Sequence, residues 1–250
     1  MLRPARLALL AAVLAAALAV AVPPAGAAPR LVRDWPCAGC LVQVPAARPK
    51  APRPLLVVLH GDEGNPAFIA SVWGPVAAAH GMILFAPQCP QALGCSFSNG
   101  VGGTTSSWWG WLQSGRYDDA WLGQQLSAVE RRYKVARARE YVAGWSGGAD
   151  FLGWYALRHA DRFAAAAFVA GGVPYYPRCP AKKLPAYFLD GTADPRYQSG
   201  QPGQVQSILQ RCGSETQLVA VPGADHQGAV TSLVGGQATA IVAWMLRHHR

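Results

Sequence analysis

The segment Gly144-Trp145-Ser146-Gly147-Gly148 constrains the fold of this chain more than any other feature. It closes the apolar run Glu140–Trp145 and opens a helix-like stretch at Ala149–His159. A Gly-x-Ser-x-Gly turn between a strand and a helix is sharp, and it needs small residues beside the serine because it leaves no room for side chains. This context predicts a nucleophile elbow, a turn that lifts the Ser146 hydroxyl clear of the backbone.

A carboxylate and a histidine follow Ser146 along the chain, each just after a strand-like apolar run. Asp194 follows the segment Ala186–Gly191, and His226 follows Leu218–Val221 and a short turn. Ligands bind at the carboxyl ends of strands in open α/β sheets, so we expect the three side chains to meet there. A serine hydroxyl is a poor nucleophile at neutral pH, and His226 would accept its proton while Asp194 orients the imidazole. The sequence therefore predicts a catalytic triad.

An oxyanion hole is predicted at the turn that follows the apolar run Leu55–Leu59. The run has the composition of a strand buried on both faces, and it leads directly into His60-Gly61-Asp62-Glu63-Gly64. The predicted donors to the oxyanion are the main-chain N–H groups of Asp62 and Gly147. We interpret His60 as a buried histidine that bonds neighbouring main chain, not as a catalytic group.

These motifs resemble the α/β-hydrolase superfamily, in particular its secreted polyhydroxybutyrate depolymerase and feruloyl esterase branch. The matching segments span most of the chain after residue 27: Leu59-His60-Gly61, Tyr117-Asp118-Asp119, Tyr141–Gly148, Asp190–Asp194 and Asp225-His226. The resemblance implies hydrolysis of carboxylic esters, of polyester or feruloyl type, through an acyl-enzyme and without a cofactor or metal. Two departures bear on the substrate: the acidic pair Asp62-Glu63 in the oxyanion turn, and Asp150, where such helices usually carry small or apolar residues.

Strand-like and helix-like stretches alternate along the chain, which predicts an α/β fold with a mostly parallel, doubly wound sheet and helices on both faces. Besides the strands already named, Met82–Ala86 and Phe163–Ala170 are predicted strands. Further predicted helices are Pro66–His80, Asp118–Tyr133, Pro202–Cys212 and Gly236–Arg247.

Residues 1–27 have the composition of a secretory signal peptide. Its three parts are the basic pair Arg3 and Arg6, the apolar stretch Leu7–Val22, and the cleavage motif Ala25-Gly26-Ala27. A membrane anchor is the alternative, but the apolar stretch is short for a spanning helix. We expect residues 28–250 to form one hydrolase domain that is secreted or periplasmic, with no stable membrane insertion.

The chain is basic, with a formal net charge of +9 that falls by two when Arg3 and Arg6 are removed. Its lysines and arginines are scattered rather than clustered, which argues against a nucleic-acid partner. The positive charge instead favours attraction of the protein to an anionic cell envelope or an acidic polysaccharide. Charged residues make up only 14% of the chain and hydrophobic residues 51%, which argues against disorder.

Six cysteines in an exported chain predict three disulfides. Fifteen pairings are possible, and we favour the sequential one: Cys37–Cys40, Cys89–Cys95 and Cys179–Cys212. The Cys37-Ala38-Gly39-Cys40 motif could instead be a redox or metal motif. The chain has no second cysteine pair with zinc spacing and no thioredoxin-like setting for the motif, so a structural bridge is preferred.

The segment Gln88–Tyr117 is long for a loop of a compact domain, and loops of this length usually carry function or are disordered. It contains Gly100, Gly102 and Gly103 and then Trp108-Trp109-Gly110-Trp111. Each tryptophan alone would normally be a core residue. Three within four positions are hard to bury together, so we expect Trp108, Trp109 and Trp111, with Trp145, to form a substrate-binding wall or lid.

The leading hypothesis is a serine ester hydrolase whose substrate is a small or polymeric ester. An acyltransferase could use the same triad with an alcohol in place of water, and a serine peptidase is disfavoured because no propeller or cap domain is present. A catalytically silent binding protein of the cell envelope is the alternative from another class, and the intact triad argues against it. The sequence leaves the oligomeric state open.

Overall fold

The centre of the computed structural model, which describes residues 28–46, 51–98, 104–115 and 119–250, is an eight-stranded sheet. Ten strands occur in these residues: β1 (Arg30–Arg33), β2 (Leu41–Val44), β3 (Arg53–Leu59), β4 (Ile83–Ala86), β5 (Ser96–Ser98), β6 (Thr104–Ser106), β7 (Val135–Trp145), β8 (Ala165–Val169), β9 (Ala186–Gly191) and β10 (Thr216–Val221). The order across the sheet is β1-β2-β4-β3-β7-β8-β9-β10. The six strands from β4 to β10 in that order are parallel, and β1 and β2 form an antiparallel edge. The predicted mostly parallel sheet is confirmed.

Helices cover both faces of the sheet. They are α1 (Pro66–Ala79), α2 (Trp108–Gln113), α3 (Asp119–Arg132), α4 (Gly147–Arg158), α5 (Pro195–Gln198), α6 (Gln201–Arg211), α7 (His226–Ser232) and α8 (Ala238–Met245). Successive side chains of a strand point to opposite faces, so β3 feeds two separate cores. Leu55, Val57 and Leu59 pack with α2, α3, α4 and α6. Leu56 and Val58 pack with α1, α7 and α8 on the other face.

The sequence prediction and the structure differ in the extent of several elements. Strand β7 begins at Val135 rather than Glu140, because Arg137 and Arg139 in its first half interrupt the apolar sequence pattern of a strand. The predicted loop Gln88–Tyr117 contains the β5–β6 hairpin and helix α2. The closing helix is preceded by α7 and by a π-helical turn at Leu233–Gln237, where Gly236 has a φ of 114°. The predicted signal peptide at 1–27, the loop glycines Gly100, Gly102 and Gly103, and the motif residues Tyr117 and Asp118 lie outside the described residues.

The helical stretch His226–Met245 is long and apolar enough to cross a membrane. In this fold it packs against the sheet, with Ala229, Val230, Ile241 and Val242 buried in the core. Burial of its apolar side chains in the core therefore accounts for the composition of this stretch.

All six cysteines form disulfides, in sequential pairs. The first pair, Cys37–Cys40, closes the turn between β1 and β2. The second, Cys89–Cys95, brackets a short 3-10 turn, and the third, Cys179–Cys212, joins the segment before β9 to the end of α6.

Candidate active site

Ser146 lies in the sharp turn between β7 and α4, with a φ of 52° and a ψ of −120°. Its main-chain N–H donates to the carbonyl of Val169 at 2.9 Å, which ties the turn to β8. The flanking glycines are required by close contacts. A Cβ atom on Gly144 would lie 2.6 Å from the main chain of Gly148, and one on Gly148 would lie 2.5 Å from the carbonyl oxygen of His60. The turn thus has the strained geometry and the crowded neighbours of a nucleophile elbow.

The structure brings the three predicted triad residues into one hydrogen-bonded series. His226 Nε2 lies 2.9 Å from Ser146 Oγ, and His226 Nδ1 lies 2.7 Å from Asp194 Oδ2. With the imidazole proton on Nδ1, the ring donates to the carboxylate and accepts from the serine hydroxyl. Asp194 is 1% exposed and Ser146 8%, whereas the side chain of His226 is 35% exposed. The Asp194 carboxylate is therefore shielded from water, while the His226 ring remains accessible.

Asp194 is held in place by the helix that it begins. It is the N-cap of α5, and its Oδ1 accepts a hydrogen bond from the main-chain N–H of Arg196 at 2.9 Å. This bond satisfies one oxygen of the carboxylate and leaves Oδ2 for His226. An N-cap of this kind contributes about 1 kcal/mol to helix stability and also orients the capping side chain.

The loops that carry Asp194 and His226 are joined by two hydrogen bonds. The N–H of Ala193 donates to the carbonyl of Ala224 at 2.9 Å, and the N–H of Gly223 donates to Thr192 Oγ1 at 2.8 Å. A Cβ atom on Gly191 would lie only 2.1 Å from the carbonyl oxygen of Ala224, so only glycine fits at this crossing.

The other end of the loop that carries His226 is fixed by a helix cap. Asp225 caps α7 by accepting from the N–H of Gly228 at 2.7 Å. His226 is therefore the first residue of a capped helix, which limits the positions that its ring can adopt.

The predicted oxyanion donors lie next to each other. Gly147 is the first residue of α4, and the N–H of a first helical residue has no acceptor within its own helix. A Cβ atom on Gly147 would lie 2.1 Å from Asp62 Oδ1, so the carboxyl group of Asp62 packs directly against this glycine. That oxygen accepts from the N–H of Trp109 at 3.4 Å. The structure thus places the two residues side by side next to Ser146, and their role as oxyanion donors stays a prediction.

The carboxyl group of Asp62 is an acidic group within the turn that carries a predicted oxyanion donor. Burial raises the pKa of Asp62, and hydrogen bonds from the main chain of Trp109 and the hydroxyl of Ser107 lower it. An ionised Asp62 carboxylate would repel any negative charge that develops next to Gly147.

His60 is buried and structural, as interpreted from the sequence. Its Nδ1 donates to the carbonyl of Gly61 at 2.7 Å, and its Nε2 accepts from the N–H of Cys89 at 3.3 Å. Burial lowers the pKa of His60 to about 4, so the ring is neutral near pH 7. Both ring nitrogens are therefore occupied by main chain.

Two of the three loop tryptophans are core residues, which corrects the expectation that all three form a wall or lid. Trp108 is 0% exposed and Trp111 is 2% exposed. Their ring centroids lie 4.9 Å and 5.5 Å from that of Phe151 on α4. They can be buried together because α2 is a helix and both side chains point to its inner face. Ser107, which accepts from the N–H of Gly110 at 2.7 Å, is the N-cap that could have revealed this helix.

Trp109 and Trp145 are the partly exposed members of the predicted set. The ring centroid of Trp109 lies 5.3 Å from that of Tyr175, and the ring centroid of Trp145 lies 5.7 Å from that of Phe68. Trp145 is also 6.1 Å from the ring of His226. Phe68 and Tyr175 were not predicted, because a single aromatic residue in a helix or loop carries no sequence signal for a site.

Among the residues that the structure describes, no three histidine, cysteine, aspartate or glutamate side chains are close enough to hold a metal ion. Asp150 and Asp225, two of the described acids near the proposed triad, instead bond to main chain or to arginine.

Comparisons with known proteins identify the fold. No family model matches the chain. A bifunctional acetylxylan esterase/xylanase from Neocallimastix patriciarum is 27% identical over 143 residues, which are 56% of this chain and 19% of that protein. Among solved structures, a thermostable esterase superposes with a TM-score of 0.61 and 20% identity over 89% of this chain and 63% of that one. Esterase PE8 superposes with a TM-score of 0.65 and 18% identity over 87% and 98% of the two chains.

This chain has the α/β-hydrolase fold. The resemblance to that superfamily is confirmed at the level of the fold, and the narrower resemblance to polyhydroxybutyrate depolymerases and feruloyl esterases stays a prediction. The chain spans about a fifth of the curated relative that it matches. In this α/β-hydrolase fold, Ser146, Asp194 and His226 follow β7, β9 and β10 at the carboxyl edge of the sheet.

Proposed function

We propose that this protein is an exported serine hydrolase that cleaves carboxylic esters through an acyl-enzyme. The observation that carries the proposal is the series Ser146–His226–Asp194, with bonds of 2.9 and 2.7 Å, at an elbow of the α/β-hydrolase fold. The similarity to proteins that are named esterases supports ester hydrolysis.

In the first half of the proposed reaction, Ser146 Oγ attacks the ester carbonyl carbon and its proton passes to His226 Nε2. The N–H groups of Asp62 and Gly147 stabilise the resulting oxyanion. When the intermediate collapses, the bond to the alkoxy oxygen breaks, and His226 gives its proton to the leaving alcohol. Asp194 holds the Nδ1–H of the ring and stabilises the imidazolium.

In the second half, water attacks the acyl-enzyme. His226 accepts a proton from the water, the bond between the acyl carbon and Ser146 Oγ breaks, and the serine recovers its proton. The products are a carboxylic acid and an alcohol, and the enzyme needs no cofactor for either step.

We propose an ester with an apolar or aromatic group as the substrate. Two aromatic pairs support this choice: Phe68 with Trp145 and Trp109 with Tyr175. Trp145 lies beside His226, and the N–H of Trp109 bonds Asp62, so both pairs adjoin the proposed site. Such rings favour feruloyl groups or hydrophobic polyester segments over a bare acetyl group.

The disulfides support an oxidising location. Each of the six cysteines is bonded to another, as is usual in proteins exported from the cytoplasm. Together with the signal-like residues 1–27, this pattern supports a secreted or periplasmic enzyme.

The test is the rate of hydrolysis of p-nitrophenyl acetate, p-nitrophenyl butyrate and methyl ferulate by the wild-type protein and by Ser146→Ala. Loss of the nucleophile should lower kcat by several orders of magnitude, on the order of 10⁶ in a well-studied triad, without unfolding the protein. Ser232→Ala is the control, because this partly buried serine bonds only the carbonyl of Ala229 among the described residues. Activity of Ser146→Ala above a few per cent would contradict the proposal. Ester products formed only when an alcohol acceptor is added would point to the acyltransferase.

A further inference from the structure

Asp150 is a buried acid on the nucleophile helix. It lies one turn after Ser146, and its main-chain N–H donates to the carbonyl of Ser146 at 2.9 Å. The residue is 1% exposed. Positions of this kind are usually apolar, since a buried carboxylate is costly unless other groups compensate for its charge.

Three separate segments supply that compensation. Asp150 Oδ1 accepts from the N–H of Gly172 at 2.8 Å and from Gln201 Nε2 at 3.3 Å. Its Oδ2 accepts from Arg196 Nη1 at 2.9 Å. Gly172 follows β8, Gln201 begins α6, and Arg196 lies in α5. One carboxylate therefore connects α4 to the three segments that follow it around the site.

The contact with Arg196 leads directly to the proposed catalytic acid. The main-chain N–H of Arg196 donates to Asp194 Oδ1, and Asp194 Oδ2 meets His226. Helix α5 has only four residues, so few contacts of its own can fix its position. The guanidinium of Arg196 anchors it to α4 through Asp150.

A gain in folding stability does not by itself explain the Asp150–Arg196 ion pair. Burial raises the pKa of Asp150, and the neighbouring Arg196 lowers it. Replacing a buried ion pair with apolar residues is often neutral or stabilising. The Asp150–Arg196 ion pair connects α4, which follows Ser146, to α5, which Asp194 caps. Its directional contact fixes the position of α5 relative to α4, which an apolar pair would not do.

We infer that Asp150 is a positioning residue, which acts through Arg196 to fix α5 and the Asp194 carboxylate relative to Ser146. The inference rests on the proposed function and extends it to residues that do not touch the substrate. Loss of the Asp150–Arg196 pair should misalign Asp194 and His226, so kcat should fall while the KM of a small ester stays unchanged.

The experiment measures the rate at which a fluorophosphonate labels Ser146, beside kcat and KM for p-nitrophenyl acetate. In labelling, Ser146 Oγ forms a bond to phosphorus, fluoride leaves, and His226 takes the serine proton. Asp150→Asn keeps an oxygen for the N–H of Gly172 but removes the charge that pairs with Arg196. Arg196→Gln removes the other partner at a partly exposed position, and Arg196→Lys keeps its charge.

The matched control is Glu140→Gln. Glu140 is also 1% exposed and pairs with arginine, with its Oε2 3.5 Å from Arg162 Nε. It precedes the apolar half of β7, away from the elbow. This variant should lose stability without losing labelling rate.

We expect Asp150→Asn and Arg196→Gln to slow labelling and kcat about 10- to 100-fold, as small misplacements of reacting groups do. Arg196→Lys should recover part of the rate. Wild-type rates in folded Asp150→Asn and Arg196→Gln, or a change confined to KM, would overturn the inference alone. If Asp150→Asn does not fold, Arg196→Gln decides. A wild-type protein that is not labelled at Ser146 would overturn the proposed function as well.

Discussion

Asp190, four residues before the proposed catalytic acid, is a buried carboxyl group that the proposed mechanism does not use. It is 0% exposed, and neither of its oxygens has a hydrogen-bond partner among the residues that the structure describes. Burial, with a smaller contribution from the charge of Asp194, raises the pKa of Asp190 to about 8. Asp190 is therefore protonated in the folded protein at neutral pH and adds no second negative charge beside Asp194.

Asp190→Asn should make folding stability less dependent on pH. In the unfolded wild-type chain Asp190 ionises near its ordinary pKa of 3.8, whereas the folded chain keeps the proton up to about pH 8. The unfolded state thus loses a proton first, and this group destabilises the fold progressively between those pH values, by up to about 1.4 kcal/mol per pH unit. Asparagine does not titrate, so this contribution disappears.

Urea unfolding at pH 5 and pH 8 measures the effect. The free energy of unfolding should fall less between these pH values for Asp190→Asn than for the wild type. Asp161→Asn, on the surface, is the control. The same fall in all three proteins would show that Asp190 is ionised or solvated in the folded state.

At the residue scale, the proposed triad could be predicted from sequence because each member follows a strand with a recognisable pattern. The Asp150–Arg196 pair could not, since its partners are 46 positions apart and neither has a local motif. Asp150 stood out only as a charge in an apolar helix. Which group would neutralise it depends on how α5 packs, and that is a tertiary property.

At the scale of elements, helix α2 presents different tryptophans to the core and to the proposed site. Trp109→Ala should weaken the binding of feruloyl or long-chain esters by about 1–3 kcal/mol and lower their kcat/KM accordingly. The reason is that it removes one member of the ring pair with Tyr175. Acetyl esters, which are too small to reach these rings, should be nearly unaffected. The measurement is kcat/KM for both ester classes beside the melting temperature.

Trp111→Ala is the matched control for Trp109→Ala. It creates a cavity next to Phe151 and should cost about 3–5 kcal/mol of stability. Any loss of activity should then be shared by all esters. A uniform loss in Trp109→Ala that follows its stability would refute the substrate role of that residue.

Elements with buried, mostly apolar sequences were predicted well, and those at the periphery were not. Strands β3, β4, β8 and β9 are almost wholly buried, and their composition revealed them. The polar hairpin β5–β6 has no apolar alternation to reveal it. Helix α2 has six residues, too few to show a helical period, and its glycine and tryptophans suggested a loop.

At the scale of the whole molecule, the disulfides should differ in their contribution to stability. Chain-entropy arguments give about 3.8 kcal/mol for Cys179–Cys212, which spans 33 positions, and about 2.4 kcal/mol for Cys89–Cys95, which spans 6. Replacing both members of the longer bridge with alanine should therefore lower the melting temperature more. Calorimetry of the two double variants makes the comparison.

Free-thiol titration of the unfolded double variants must show that the remaining bridges are intact. An equal or smaller fall for Cys179→Ala/Cys212→Ala would mean that packing around the buried Cys89 and Cys95 outweighs loop closure.

The order of the proposed triad along the chain has a consequence for biogenesis. Ser146 and His226 are separated by 80 positions, and the histidine follows the last strand at one edge of the sheet. During vectorial synthesis the nucleophile elbow leaves the ribosome well before the base that would activate it. If His226 is the base, the nascent chain would stay unreactive until β10 is paired, and the onset of labelling at Ser146 would report the last step of sheet assembly.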